Sequence, residues 1–213
     1  IEDGARVPGF VAPMPFAQLL RTAPFWLIVF GQFVSASNIY TMIQWLPSYL
    51  TRVLELPFPR MAFFLTIGYT LASVLTVLIG YAADRSLQRA LVASITCFIY
   101  PWLVIPASMF GPPEWIAVAL GTLVAQSAST AALNGALMHT LLEPEAIARG
   151  TGIYVGVGNF CSALGPWIFG MLITATGGYH AGFVFMALMS AAACLAYFRL
   201  HQISQRARAA AAA

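Results

Sequence analysis

Eight polar side chains stand out in a chain that is 60% hydrophobic. Ser37, Asn38, Tyr40, Thr41 and Gln44 lie in one apolar run, and Gln126, Thr130 and Asn134 in another. At 100° per residue, Ser37, Tyr40, Thr41 and Gln44 fall within about one-third of a helical circle, with Asn38 at its flank. Gln126, Thr130 and Asn134 follow i, i+4, i+8 spacing and share one face. The chemistry of amides, hydroxyls and a phenol is hydrogen bonding. Exposing such groups unpaired to lipid is costly, so they face protein or a water-filled cavity. Two roles fit: contacts to a solute in a cavity, or hydrogen bonds that tie helices together.

Covalent chemistry has no foothold. An intramembrane serine protease needs a serine in a glycine-rich setting and a histidine on another helix. No G-x-S-x-G occurs, and His139, His180 and His201 lie near helix ends or in the tail. A metal-dependent membrane enzyme needs clustered acids or histidines, which the apolar runs lack. Cys97, Cys161 and Cys194 stand singly in apolar runs without a C-x-x-C pair and read as small core residues. The paired Asn-Pro-Ala signature of water channels and a Gly-Tyr-Gly filter are also absent. The expectation is a non-enzyme without cofactor or metal, a six-helix channel or membrane enzyme being the alternatives.

The elements that position these groups are hydrophobic helices. Only 8% of residues are charged, against roughly a quarter in soluble domains, and the deficit runs the whole length. A span needs roughly 20 apolar residues. Six stretches qualify: 24–50, 61–83, 90–110, 115–142, 150–176 and 179–198, none holding Asp, Glu, Lys or Arg. Short connections make successive helices antiparallel. Pro101 and Pro106 are expected to bend the third, and Gly165-Pro166 the fifth. The fold class is all-α and polytopic. Residues 1–20 read as the end of a preceding loop, 21–200 as the transmembrane domain and 201–213 as a tail.

Basic residues give the direction. All ten are Arg. With the N-terminus inside, Arg6, Arg21, Arg85, Arg89, Arg149, Arg199, Arg206 and Arg208 fall on the inner side, and only Arg52 and Arg60 outside. That asymmetry predicts two cytoplasmic termini; abundant Ala and Arg suggest a bacterial inner membrane. No run is basic enough for nucleic acid.

Between the second and third stretches, Gly80-Tyr81-Ala82-Ala83-Asp84-Arg85-Ser86-Leu87-Gln88-Arg89 resembles the G-x-x-x-D-R-x-G-R-R loop of the major facilitator superfamily. Leu87 stands where that family usually has Gly, and Gln88 where it has Arg. Leu19-Leu20-Arg21-Thr22-Ala23-Pro24-Phe25-Trp26 is similar to the entry of the family's seventh helix. Asn38-Ile39-Tyr40 with Trp45-Leu46-Pro47-Ser48-Tyr49-Leu50 resembles that helix in the anion:cation symporter branch. Arg149-Gly150-Thr151-Gly152, Gly158-Asn159 and Gly165-Pro166-Trp167-Ile168-Phe169-Gly170 resemble the loop and eleventh helix of the same branch.

The resemblance implies the C-terminal half of a twelve-helix secondary transporter, built as two inverted three-helix repeats. Its partners would be the lipid bilayer, an N-terminal six-helix half and a small-molecule substrate. It implies symport by alternating access, with a proton or cation as the coupled ion; the solute would be an organic anion, such as a sugar acid or aromatic acid. Efflux of drug-like compounds is the alternative. The first and fourth helices would line the cavity, making the eight polar residues substrate contacts. Gly80, Asp84, Arg85 and Arg89 would form a gating loop. Small residues favour close helix packing, which assigns Gly152, Gly156, Gly158, Gly165 and Pro166 to a sliding or rocking interface. Ser35-Ala36-Ser37-Asn38 and Ser127-Ala128-Ser129-Thr130 begin at similar depths in their helices and could mark the repeat.

Overall fold

A computed structural model describes residues 16–107, 110–141 and 144–212. Arg6 and the rest of segment 1–15 lie outside the described residues, as do 108–109 of the third stretch and 142 of the fourth. The described residues form helices only: α1 (Phe16–Leu19), α2 (Ala23–Arg52), α3 (Phe58–Ser86), α4 (Arg89–Ala107), α5 (Pro113–Leu141), α6 (Pro144–Ser162), α7 (Leu164–Thr176) and α8 (His180–Ala212). Three boundaries have a local reason. Pro24 occupies the first turn of α2, where a missing N–H breaks no intrahelical bond. The turn after α3 closes on Leu87 in the left-handed region, φ 54°, and α7 stops at Gly177, φ 73°, a conformation glycine adopts without strain.

Five helical segments among the described residues are long and apolar enough to cross a membrane: Ala23–Arg52, Phe58–Ser86, Pro113–His139, Ile147–Thr176 and His180–Arg206. This suits an integral membrane protein. The expected third span is shorter, its apolar stretch among the described residues being Arg89–Ile99; α4 continues through both Pro101 and Pro106. The expected fifth span is interrupted between α6 and α7. Two boundaries differ from expectation. Phe16–Leu19 is a helical turn within the segment read as loop. Segment 201–212 prolongs α8 rather than forming a separate tail, because Ala, Gln and Arg are good helix formers.

Inside the bundle, α2 and α5 cross at the centre. The first also packs along α6, α7 and α8, the second along α3 and α4, and α4 and α8 lie against each other. Two apolar clusters occupy opposite ends. One gathers Phe25, Ile28 and Val34 of α2 with Ala90 and Cys97 of α4, Leu133 and Met138 of α5, and Tyr197 and Leu200 of α8. The other gathers Met42, Leu46 and Leu50 with Met61 and Leu65 of α3, Ile116 and Leu120 of α5, and Phe169 and Phe183. The first half of α2 thus meets the second half of α5, so these helices run antiparallel. The ion pair between Arg60 and Glu114 (3.5 Å) places the starts of α3 and α5 at one end.

Candidate functional site: an open groove above a sealed polar waist

Between the two apolar clusters lies a band of buried polar residues. Lipid tails are as apolar as Leu, so packing and interhelical hydrogen bonds hold such a bundle together. From α2, Ser35 Oγ donates to the Ser127 carbonyl of α5 (2.8 Å), Ser37 Oγ to the Ser162 carbonyl of α6 (3.4 Å), and Asn38 Nδ2 to Ser190 Oγ of α8 (2.8 Å). A longer chain joins four helices. Tyr197 OH donates to Asn134 Oδ1 (2.7 Å), Asn134 Nδ2 to Gln32 Oε1 (3.2 Å), and Gln32 Nε2 to Asn159 Oδ1 (3.2 Å). On the α4 side, Gln126 Nε2 donates to Cys97 Sγ (3.2 Å) and Thr130 Oγ1 (3.3 Å).

This geometry divides the eight candidate contacts. Ser37, Asn38, Thr41, Gln126, Thr130 and Asn134 are buried within the bundle. They are closed to a solute in this state, and all but Thr41 are engaged in the bonds above. The shared face of Gln126, Thr130 and Asn134 is the inward face of α5. Its opposite, partly open side carries Ala128, Ala132 and Gly135 and ends in exposed His139. The two serine-rich tetrapeptides do meet, at the Ser35–Ser127 contact where α2 and α5 cross. Sequence reasoning passed over Gln32 and Tyr197. The amide of Gln32, alone in an apolar turn, was the available signal; Tyr197, two residues before Arg199, looks like a residue of the membrane interface.

Tyr40 and Gln44 behave differently. Both are exposed, and neither hydroxyl nor amide has a hydrogen-bond partner among the described residues. They line an open groove of about 1070 Å³ between α2 and α7, whose far wall is Trp167, Met171 and Thr174. Its floor is aromatic. Trp45 donates its indole N–H to the Pro166 carbonyl (2.9 Å) and lies 6.0 Å from Phe169, which packs in turn on Phe183 at 5.7 Å.

The break at Ala163 builds the groove. Pro166 is the third residue of α7 and has no N–H for the Ser162 carbonyl four residues back; that carbonyl accepts from Ser37. A Cβ on Gly165 would stand 2.9 Å from Ser37 Cβ and 3.1 Å from Thr41 Oγ1, so glycine is needed for this close approach. Gly158 likewise abuts Gln32. Gly152 and Gly156, expected on the same interface, meet nothing within 4 Å, because they lie on the side of α6 turned away from α2. A backbone-to-backbone glycine crossing was left unread in the sequence: a Cβ on Gly68 of α3 would fall 2.7 Å from the Val118 carbonyl of α5.

In the expected gating loop, Asp84 Oδ1 accepts from Arg89 Nη2 and Nε at 3.0 and 3.2 Å. Arg85 Nη1 donates to the Tyr81 hydroxyl (3.0 Å). A Cβ on Gly80 would meet none of the described residues within 4 Å. The αL position at Leu87 explains why glycine would suit it. Among the described residues no three His, Cys, Asp or Glu side chains gather to hold a metal. No family model and no curated protein matches the chain.

Proposed function

We propose that the chain is the C-terminal half of a major-facilitator-type secondary transporter, and that the α2–α7 groove lines its solute path. The observation that carries this reading is the pair Tyr40 and Gln44. They lie past the middle of a 30-residue helix, exposed and unpaired, beside the 1070 Å³ groove. At that depth an unpaired amide facing lipid is costly, whereas a water-filled cavity satisfies it. The packing order supports a repeat: α2 lies on α6 and α7 as α5 lies on α3, and α4 meets α8. Two three-helix units related by a two-fold axis in the membrane plane give this pattern. In that reading α4, at 19 residues, is the sixth span.

Alternating access would rock this half against an N-terminal six-helix half. The expected spans carry no Asp, Glu, Lys or Arg. Compensation of an anionic solute's charge, and the titrating group of proton symport, therefore fall to that other half. Arg placement supports cytoplasmic termini in a bacterial inner membrane.

The test is side-specific labelling of the full-length protein in its membrane. Cysteine at Gln44 should react with a hydrophilic maleimide, while cysteine at exposed Leu195 of α8 should not. Equal protection of both positions excludes a water-filled path. Cysteine at Ser86 should be shielded from outside in intact cells and cysteine at Phe58 labelled; the reverse pattern overturns the orientation.

A further inference from the structure

The groove also discriminates between solute classes, on the reading that it lines the solute path. Its exposed walls are ring faces and thin apolar side chains: Tyr40, Ile43, Trp167 and Met171. Trp45 presents only its ring there, since Pro166 holds its N–H. Three polar side chains reach the groove, Tyr40, Gln44 and Thr174, and Thr174 Oγ1 already donates to the Gly170 carbonyl (3.1 Å). Among the described residues no acid, Arg or His lines it.

A polyol solute would bring many hydroxyls into a wall that offers an amide and a phenol. Most would lose water without gaining a partner, which disfavours binding. A flat aromatic ring covers Trp167 and Tyr40 in offset or edge-to-face contact, and Met171 adds a sulfur–ring contact. The free amide of Gln44 can both donate and accept, and the Tyr40 hydroxyl does the same. The volume, about 1070 Å³, lies just above the usual range of small-molecule sites, roughly 300–1,000 Å³. We propose that the α2–α7 groove binds a planar aromatic solute bearing one or two hydrogen-bonding ring substituents, with Trp167 as its stacking surface and Gln44 as its polar contact. Any ionised group on that solute points away from this wall.

The experiment uses the whole protein in lipid nanodiscs and three uncharged probes: 4-hydroxybenzamide, its saturated analogue 4-hydroxycyclohexanecarboxamide, and gluconamide. Saturation-transfer NMR reads binding. 4-Hydroxybenzamide should bind about tenfold more tightly than its saturated analogue, and gluconamide should not bind. Trp167→Leu should bring the aromatic probe down to the level of the saturated one. Gln44→Leu should weaken both ring probes about equally. Trp167 and Gln44 are surface positions in this chain, so both variants should keep the wild-type melting temperature; if one does not, the other carries the test. Gluconamide binding as well as the aromatic probe, absence of binding by all three, or indifference to both variants overturns the proposal. Uptake into proteoliposomes is scored separately. Aromatic binding without any uptake would refute the transporter reading and leave the groove assignment standing. Uptake of gluconamide in a Gln44- and Trp167-independent manner would do the reverse.

Discussion

The polar waist and the groove use the same residue types on the same helix to opposite ends. Gln32 and Gln44 lie twelve positions apart on α2. One is buried, with its carbonyl and amide both engaged across helices; the other is open with neither engaged. At 100° per residue, twelve positions rotate the side chain by about 120°, so the two amides leave α2 on different sides. They also meet different neighbours: near Gln32 α6 lies alongside, whereas past Ala163 the axis is interrupted and α7 leaves a gap beside Gln44. Polarity inside a membrane reports function only where no helix covers it.

The comparison is open to being broken by substitution. The largest effect is expected at Asn134. Asn134→Leu keeps the branched side-chain skeleton but strips partners from the Tyr197 hydroxyl and the Gln32 carbonyl, so about 2 kcal/mol of bundle stability should be lost. Unfolding in mixed micelles measures it, and a shift below about 0.3 kcal/mol would mean that the waist is not structural. Next comes Gln44→Leu, which should lower solute affinity about tenfold, or roughly 1.4 kcal/mol, while moving stability by less than about 0.5 kcal/mol. A Gln44→Leu protein that unfolds as easily as Asn134→Leu would erase the distinction between the two regions.

Two smaller effects lie outside both regions and calibrate them. Leu87→Gly relieves a positive φ and should stabilise by about 1 kcal/mol, offset in part by unfolded-chain entropy. Thermal unfolding checks the sign; destabilisation would show that the Leu87 side chain matters more than its backbone. Asp84→Asn should change stability least, by less than about 0.5 kcal/mol, because the Asp84–Arg89 pair is largely solvent-exposed on the acid's side. On the proposed transporter reading, its effect should appear instead as slower transport by a normally inserted protein, through a changed balance between states. Wild-type transport rates in that variant would remove the loop from the gating machinery.

Membrane-length helices were legible because 20-residue apolar runs have few other uses. The interruption near Gly165-Pro166 was legible for a local reason, the missing N–H of Pro166. Which polar residues face inward was not. Every side of a membrane helix is apolar, so no amphipathic pattern marks the core, and the i, i+4, i+8 row of Gln126, Thr130 and Asn134 fixed a shared face without fixing its direction. For Gly152 and Gly156 the spacing likewise identifies a smooth stripe, not what lies against it, and no described residue covers them. Gly80, Asp84, Arg85 and Arg89 were singled out as a loop without the Asp84–Arg89 pair, and the close approach of Gly68 to Val118 required the α3–α5 crossing to be seen.

The bonds of the waist also impose an order on biosynthesis. The polar groups of α2 find their partners 92, 102, 125, 127 and 152 residues further along the chain. At roughly 5–20 residues per second, the last of these emerges on the order of 8–30 s after Asn38 itself. Until each partner emerges the corresponding group on α2 has no helix to receive it, and the Asn38 amide waits longest. It must wait beside the insertion machinery, in water, or against a membrane chaperone until α8 arrives. A ribosome stalled before Ser190 should therefore leave an α2 that is crosslinkable to its insertase and vulnerable to membrane proteases, and release past Ser190 should end both.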